Sequence, residues 1–361
     1  MENGFEGGFL YCGNGIGVLD IHGTWHQMGR QYGALAKPYL LHVLEYLDGK
    51  LGALTAKAAE ADLIAGKLYS NYPDYLKDFF AGMAETSGLS LQRLRLCNAV
   101  EYVEGCFLCS AMAAWDEWSP GGKLVFGRNY DAVNYREIDS GVLVTVYRPV
   151  GGTPAATVGY AGEIYCVNGI NANGLFIELN NGMPSAGTEI YWDLCPGTTL
   201  LLDQLFKARS LDDLDDFFTA NRSSTAFIIS VADGRQARSY EWCHDGVRRG
   251  DGATAPGLMI STNHYVNGGW PYAVPTDADS WNSLTRRCNL QACAISHKGA
   301  MGVEEMKAIM SASLSEGGPL HEFTRYQIVA VPEDMTLHVK VPGRTGWVEL
   351  QMSKYFKNEI G

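Results

Sequence analysis

A nucleophile, a cation and a carboxylate are grouped near the end of the first third of this 361-residue chain. Gly105-Cys106-Phe107-Leu108-Cys109-Ser110 carries a Cys-x-x-Cys pair, and Leu124-Val125-Phe126-Gly127-Arg128-Asn129-Tyr130-Asp131 follows it closely. A Cys-x-x-Cys pair can be a redox dithiol or half of a zinc site. The redox use wants the pair at a helix N-terminus after a strand, whereas here it follows a helical stretch and opens a strand. Zinc needs two more ligands. There is no second Cys-x-x-Cys, and His22 and His26 lie far upstream with Gly23 between them. A single activated cysteine fits better. The run from Cys109 to Trp115 turns at Pro120-Gly121-Gly122, so the returning strand brings Arg128 and Asp131 back toward Cys109. A guanidinium near the sulfur favours thiolate, and a carboxylate can orient the arginine and any neighbouring amine. Cys243-His244 makes no dyad, because adjacent strand residues point to opposite faces.

The elements that must hold these groups follow from periodicity. The first hundred residues read as helical. Trp25, Met28, Tyr32 and Leu35 keep three-to-four spacing, Pro38 divides one helix from the next, and further helices run over Ala53–Tyr69, Tyr75–Glu85 and from Ser90 to Tyr102. Near Gly105 the texture becomes short β-rich runs divided by Gly151-Gly152 and Ala172-Asn173-Gly174, including Tyr165–Ile170 and Leu175–Leu179. Helical spacing returns at Thr198–Arg209, Leu211–Phe218, Ser283–Ser296 and Val303–Ser311, with strands between and after. Strand blocks alternate with helix pairs, which argues against a doubly wound parallel sheet and for two stacked antiparallel sheets with helices outside.

The cysteine opening a strand, the glycine turn and the following G-R-N-x-D resemble the N-terminal-nucleophile (Ntn) hydrolases, and within them the penicillin (isopenicillin-N) acyltransferase and choloylglycine hydrolase branch. Gly23 to Gly33 is similar to that branch's G-x-x-x-x-M-G-x-x-x-G helix start. Asn168 to Asn181 resembles its G-x-N-x-x-G-L strand pair, and Ser261-Thr262-Asn263-His264 with Ser283 to Arg286 resembles its T-N-H and S-x-x-R segments. The resemblance implies an α+β fold of four layers, αββα. Residues 1–108 would be an N-terminal helical segment and 109–361 the sandwich core, together one domain. It implies self-cleavage at Leu108–Cys109, after which the freed α-amine of Cys109, with a pKa of about 8, serves as base for its own thiol. Thioester chemistry on a linear amide would follow. Cys109 is the nucleophile in this reading, with Cys106 the alternative. Arg128 and Asp131 hold the amine and thiol, Asn180 (or Asn181) supplies an oxyanion donor, and Asn263 is a second amide. Arg286 or Arg287 completes the set. Many members carry glycine before the nucleophile, where this chain has Leu108. A chain left uncut would be a latent precursor or a non-catalytic binding protein of the same fold.

Composition bounds the partners. Lys and Arg number 28 against 40 Asp and Glu, a net charge of −12 that repels polyanions and excludes a nucleic-acid partner. No apolar run reaches the roughly 20 residues of a membrane span. No basic-then-apolar leader stands in Met1 to Gly15, and the cellular compartment is left open. The nine cysteines are too few for a stapled scaffold of this size, so most read as small buried hydrophobes. The expected partner is a small amide with an apolar acyl group, with no cofactor or metal, and with self-association left open.

Overall fold

The computed structural model describes residues 2–52, 56–104, 107–133, 136–251 and 254–359. Gly105 and Cys106 lie outside the described residues. The chain opens with three strands, β1 (Glu2–Phe5), β2 (Gly8–Gly13) and β3 (Ile16–Gly23). This corrects the all-helical reading of residues 1–108. The two connecting turns are Glu6-Gly7 and Asn14-Gly15, all four residues at positive φ. That is the geometry of the two-residue hairpin turn that matches strand twist. Helices α1 (Trp25–Leu35), α2 (Lys37–Leu51), α3 (Ala56–Ser70), α4 (Asp74–Ser87), α5 (Leu91–Asn98) and α6 (Val100–Glu104) follow. Thr24 caps α1 in a reciprocal box with Gln27. Helices α1 and α4 cross closely because Gly29 and Gly82 have no side chain. A Cβ on Gly29 would strike the backbone of Phe79, and one on Gly82 the carbonyl of His26.

The remaining strands are β4 (Phe107–Asp116), β5 (Gly122–Ala132), β6 (Val142–Pro149), β7 (Ala155–Tyr160), β8 (Asn168–Asn171) and β9 (Phe176–Asn181), then β10 (Phe227–Ala232), β11 (Ala237–Cys243), β12 (Gly246–Arg249), β13 (Leu258–Ser261), β14 (Thr324–Val331), β15 (Thr336–Lys340) and β16 (Val348–Gln351). Helices α7 (Met183–Ala186), α8 (Gly197–Lys207), α9 (Leu211–Ala220), α10 (Ser283–Ser296), α11 (Val303–Ser311) and α12 (Met352–Phe356) are interspersed. Ten strands form one sheet in the order β1-β2-β3-β6-β7-β8-β9-β10-β11-β12, and six form the other in the order β13-β4-β5-β14-β15-β16. The sheets face each other, with Phe126 of β5 against Phe176 of β9 at a ring separation of 5.0 Å. Helices α1, α8 and α9 cover the larger sheet, and α10 and α11 the smaller. The architecture is α+β in four layers, αββα, as expected.

Two details differ from expectation. The larger sheet is not wholly antiparallel, because β3 runs parallel to β6 and so inserts the N-terminal hairpin into the sandwich. The segment 1–108 therefore supplies strands to the core as well as helices around it. The strand expected at Tyr165–Ile170 is shorter and later, at Asn168–Asn171, because the Ala161–Val167 stretch turns to bring Glu163 and Ile164 back onto Tyr160 and Asn98. Among the described residues no helix is long and apolar enough to cross a membrane.

Candidate active site

Cys109 lies near the start of β4, between β13 and β5. The β4–β5 register pairs Leu108 with Asp131, Cys109 with Tyr130 and Ala111 with Arg128. Alternation then sends Cys109, Arg128 and Tyr130 into the space between the sheets, and Ser110 and Asp131 toward the α10 layer. The β13–β4 ladder ends at Ser261–Ala111. Two residues beyond, a side chain replaces the missing strand, as the backbone N–H of Cys109 donates to Asn263 Oδ1 at 2.9 Å.

Two buried ion pairs flank the cysteine, one on each side of the sheet. Between the sheets, Arg128 Nη2 donates to Cys109 Sγ at 3.1 Å and to the Leu179 carbonyl at 2.8 Å. Its Nη1 donates to Asn180 Oδ1 at 2.7 Å and pairs with Glu178. On the helix side, Arg286 Nη1 donates to the Cys109 carbonyl at 2.5 Å and to Ser110 Oγ at 2.7 Å, and its Nη2 donates to Asn263 Oδ1 at 2.7 Å. Asp131 lies 3.7 Å from Arg286 and accepts from Thr324 Oγ1 at 2.5 Å. All four charged side chains are fully buried. Two cations and two anions balance, which is the condition for keeping charge out of water.

The structure brings all six predicted residues into one connected network, with differences in detail. Arg128 is partnered by Glu178, not by Asp131, because one-residue alternation places Asp131 on the other face of β5. Asp131 Oδ2 has no hydrogen-bond partner. Asn180 faces the site, with Nδ2 donating to Ser261 Oγ at 3.1 Å, whereas the Asn181 side-chain oxygen caps Met183. The Asn181 backbone carbonyl still accepts from Asn263 Nδ2 at 2.9 Å. Of the two adjacent arginines, Arg286 reaches Cys109, and Arg287 turns away to the Ile260 carbonyl. Ser283 Oγ accepts from the Asn263 N–H at 2.7 Å, and Arg286 follows one helical turn later. The Ser283–Arg286 spacing thus anchors the asparagine and delivers the arginine from one helix end. His264 lies on Ser283 at 2.8 Å, not on the thiol, and burial pulls it down to about 4. His244, beyond the end of β11, stacks on Tyr191 at 3.6 Å. Among the described residues no cluster of His, Cys, Asp or Glu has the makings of a metal site.

The thiol differs from expectation in its electrostatics. Burial pushes the Cys109 thiol up to about 12, and Arg128 only partly opposes this while Asp131 and Glu178 add to it. Desolvation thus outweighs one cation already shared with a carboxylate, and the thiol form is favoured over the thiolate. Glu178 and Ser261 are the parts that residue-by-residue reading missed. A single carboxylate in an otherwise apolar strand, Phe176-Ile177-Glu178-Leu179, was the available signal, since a buried charge needs a partner.

Leu179 and Asn181 also line a narrow apolar cavity of ≈ 50 Å³ with Glu101, Tyr102, Met183, Ile190, Thr198, Thr225 and Phe227. It is tied to the site on two sides. The Leu179 carbonyl shares Arg128 Nη2 with the thiol, and Glu101 Oε1 accepts at 2.7 Å from Tyr130, the residue paired with Cys109.

No protein-family model matches the chain, and no curated protein matches it. Solved structures do. A Caenorhabditis elegans N-acylethanolamine-hydrolyzing acid amidase ortholog is similar over 69% of this chain and 97% of its own, at 14% identity and a TM-score of 0.47. A mutant conjugated bile acid hydrolase from Clostridium perfringens is similar over 68% of this chain and 93% of its own, at 11% identity and a TM-score of 0.46. Penicillin V acylase from Agrobacterium tumefaciens is similar over 70% of this chain and 89% of its own, at 12% identity and a TM-score of 0.49.

Proposed function

We propose that this protein is a cysteine Ntn amidohydrolase or acyltransferase, made as a latent precursor, that cleaves a linear amide with an apolar acyl group through Cys109. The observation that carries the reading is the grip on that one residue. Its sulfur is held by Arg128, its N–H by Asn263 and its carbonyl by Arg286, all from different elements. A structural cysteine needs none of these.

In the intact chain the Leu108–Cys109 bond lies within the β4–β5 ladder and the thiol is buried, so the uncut form is the inactive one. Activation begins when the Cys109 sulfur attacks the Leu108 carbonyl carbon. The C–N bond breaks, the nitrogen takes up the thiol proton, and the acyl group passes to sulfur. Water then hydrolyses this thioester, leaving a Leu108 carboxylate, a free thiol and a new α-amine. That amine keeps Asn263 Oδ1 as its acceptor and gains Asp131, whose Oδ2 is without a hydrogen bond. With a pKa of about 8 it takes the thiol proton for the next attack. The thiolate adds to the substrate carbonyl, Asn180 Nδ2 donates its second hydrogen to the oxyanion, and the amine leaves with a proton. Water or an acceptor amine releases the acyl group.

The test is intact-mass analysis of freshly purified protein with a panel of amides and trapping of the thioester. Fragments 1–108 and 109–361 together with thiol-dependent hydrolysis are expected, and Cys109→Ala removes both. A single uncut chain with no turnover refutes the proposal. Loss of both activities in Cys106→Ala, with Cys109→Ala unaffected, moves the nucleophile.

A further inference from the structure

The cavity beside Cys109 is mostly apolar, and two of its polar groups, Glu101 and Thr225, keep hydrogen-bonding capacity that the protein does not use. Glu101 is about nine-tenths buried, and Tyr130 engages its Oε1, but Oε2 has no hydrogen-bond partner among the described residues. Thr225 is 2% exposed, and its Oγ1 has no partner either. The other hydroxyls in the cavity wall, Tyr102 and Thr198, face each other at 3.4 Å. A buried hydroxyl left open costs free energy unless something supplies its hydrogen bond, and a carboxylate oxygen without a protein donor is free to take one. Four apolar side chains, Leu179, Met183, Ile190 and Phe227, make up the apolar part of the lining. The volume of ≈ 50 Å³ suits a short, narrow group.

We infer that the amide cleaved at Cys109 carries a short apolar acyl group bearing a hydrogen-bond donor, an amine or a hydroxyl, which binds Glu101 Oε2 and Thr225 Oγ1. This rests on the amidohydrolase reading and narrows its substrate class. The cavity is placed for an acyl group because its walls share Arg128 and Tyr130 with the cysteine. Arg128 reaches both the thiol and Leu179, and Tyr130 sits across the ladder from Cys109 while holding Glu101. A donor on the acyl group supplies the Glu101 carboxylate oxygen and Thr225, and an alkyl group of the same length leaves the Thr225 hydroxyl buried and unmet. Sites built on such groups discriminate more sharply than apolar pockets do. The residue that reads the donor lies on α6, upstream of the proposed cut, so residues 1–108 must stay associated after cleavage for the specificity to persist.

The experiment compares γ-aminobutyryl, γ-hydroxybutyryl, valeryl and decanoyl p-nitroanilides on the full protein. The donor-bearing acyl groups are expected to exceed valeryl in kcat/KM by roughly ten- to a hundredfold. That ratio should fall toward one in Glu101→Leu and shrink in Thr225→Val. Glu101→Gln, which keeps an oxygen acceptor, distinguishes the arms, retaining a hydroxyl preference and losing an amine preference. Equal or faster turnover of the valeryl or decanoyl amide overturns the inference and leaves the amidohydrolase reading standing. If none of the amides is hydrolysed, the cavity is judged by binding alone, and the amidohydrolase reading fails only where the chain is also uncut. Thermal shifts with γ-aminobutyrate, γ-hydroxybutyrate and valerate must then favour a donor-bearing acid in wild type and not in Glu101→Leu, or the inference falls too.

Discussion

Titration of Glu101 gives a stability effect that can be worked from the structure. Burial in the apolar cavity raises its carboxyl from 4.5 to about 7, opposed by the Tyr130 hydrogen bond and by Arg128. In the unfolded chain it has the ordinary carboxylate value. Below about pH 4 both states carry the proton and the folded state is at its full relative stability. As pH rises toward 7 the unfolded chain releases its proton while the folded chain keeps it, so stability falls. Above the folded value the loss is complete. A difference of about 2.5 pK units corresponds to ~3 kcal/mol at 1.36 kcal/mol per unit. In Glu101→Gln this slope is absent, while the carboxamide oxygen still accepts from Tyr130. Facing groups enter as well. Glu163 is held well above its usual range by burial and by Glu101, so the variant also eases that carboxyl. Urea unfolding of both proteins, each carrying Cys109→Ala so that the chain stays whole, at intervals from pH 4 to pH 8 is the assay. The protein with Glu101 should lose about 3 kcal/mol relative to Glu101→Gln across that span. Parallel curves would refute the reasoning, because they would mean that Glu101 ionises as freely in the fold as in water.

Three further outcomes follow from the geometry. Arg286→Lys, which cannot bridge the Cys109 carbonyl, Ser110 and Asn263 at once, should slow both chain cutting and amide hydrolysis by about a hundredfold. Arg287→Lys should cost only about 1 kcal/mol of stability, and fragment yield by mass and kcat/KM compare the two. Glu178→Gln leaves Arg128 buried without its counter-charge and should lower the urea midpoint by an amount equivalent to about 3–5 kcal/mol. Gly82→Ala drives a methyl into the His26 carbonyl at the α1–α4 crossing, and calorimetry should show a destabilisation of roughly 1–3 kcal/mol with Cys109 chemistry otherwise intact.

The hairpin that brings Arg128 to the side of Cys109 was legible in the sequence, because a glycine turn between two β-rich runs fixes an antiparallel arrangement locally. So was the helix start at Ser90, a pattern of short range, whereas the four-layer αββα arrangement was what the resemblance implied. The resemblance carried Asn180, Asn263 and the adjacent arginines onto this chain. Other features were not readable, for particular reasons. The N-terminal hairpin joins strands far away in the chain, and Asn14-Gly15, its best local signal, stood in a stretch without strong alternation. The partner of Arg128 depends on which strand of the opposite sheet lies across the gap, and that strand supplies Glu178. Whether Asp131 faces the thiol or α10 is settled by a single step of alternation within the packed sheet. Arg286 rather than Arg287 is chosen by the rotation of a helix whose start is pinned by Ser283. The sequence by itself determined which reactive groups this protein owns and which of them a local turn brings together. Only the tertiary structure decided their charge state and partners, because desolvation and pairing between sheets are set by every layer around the cysteine at once.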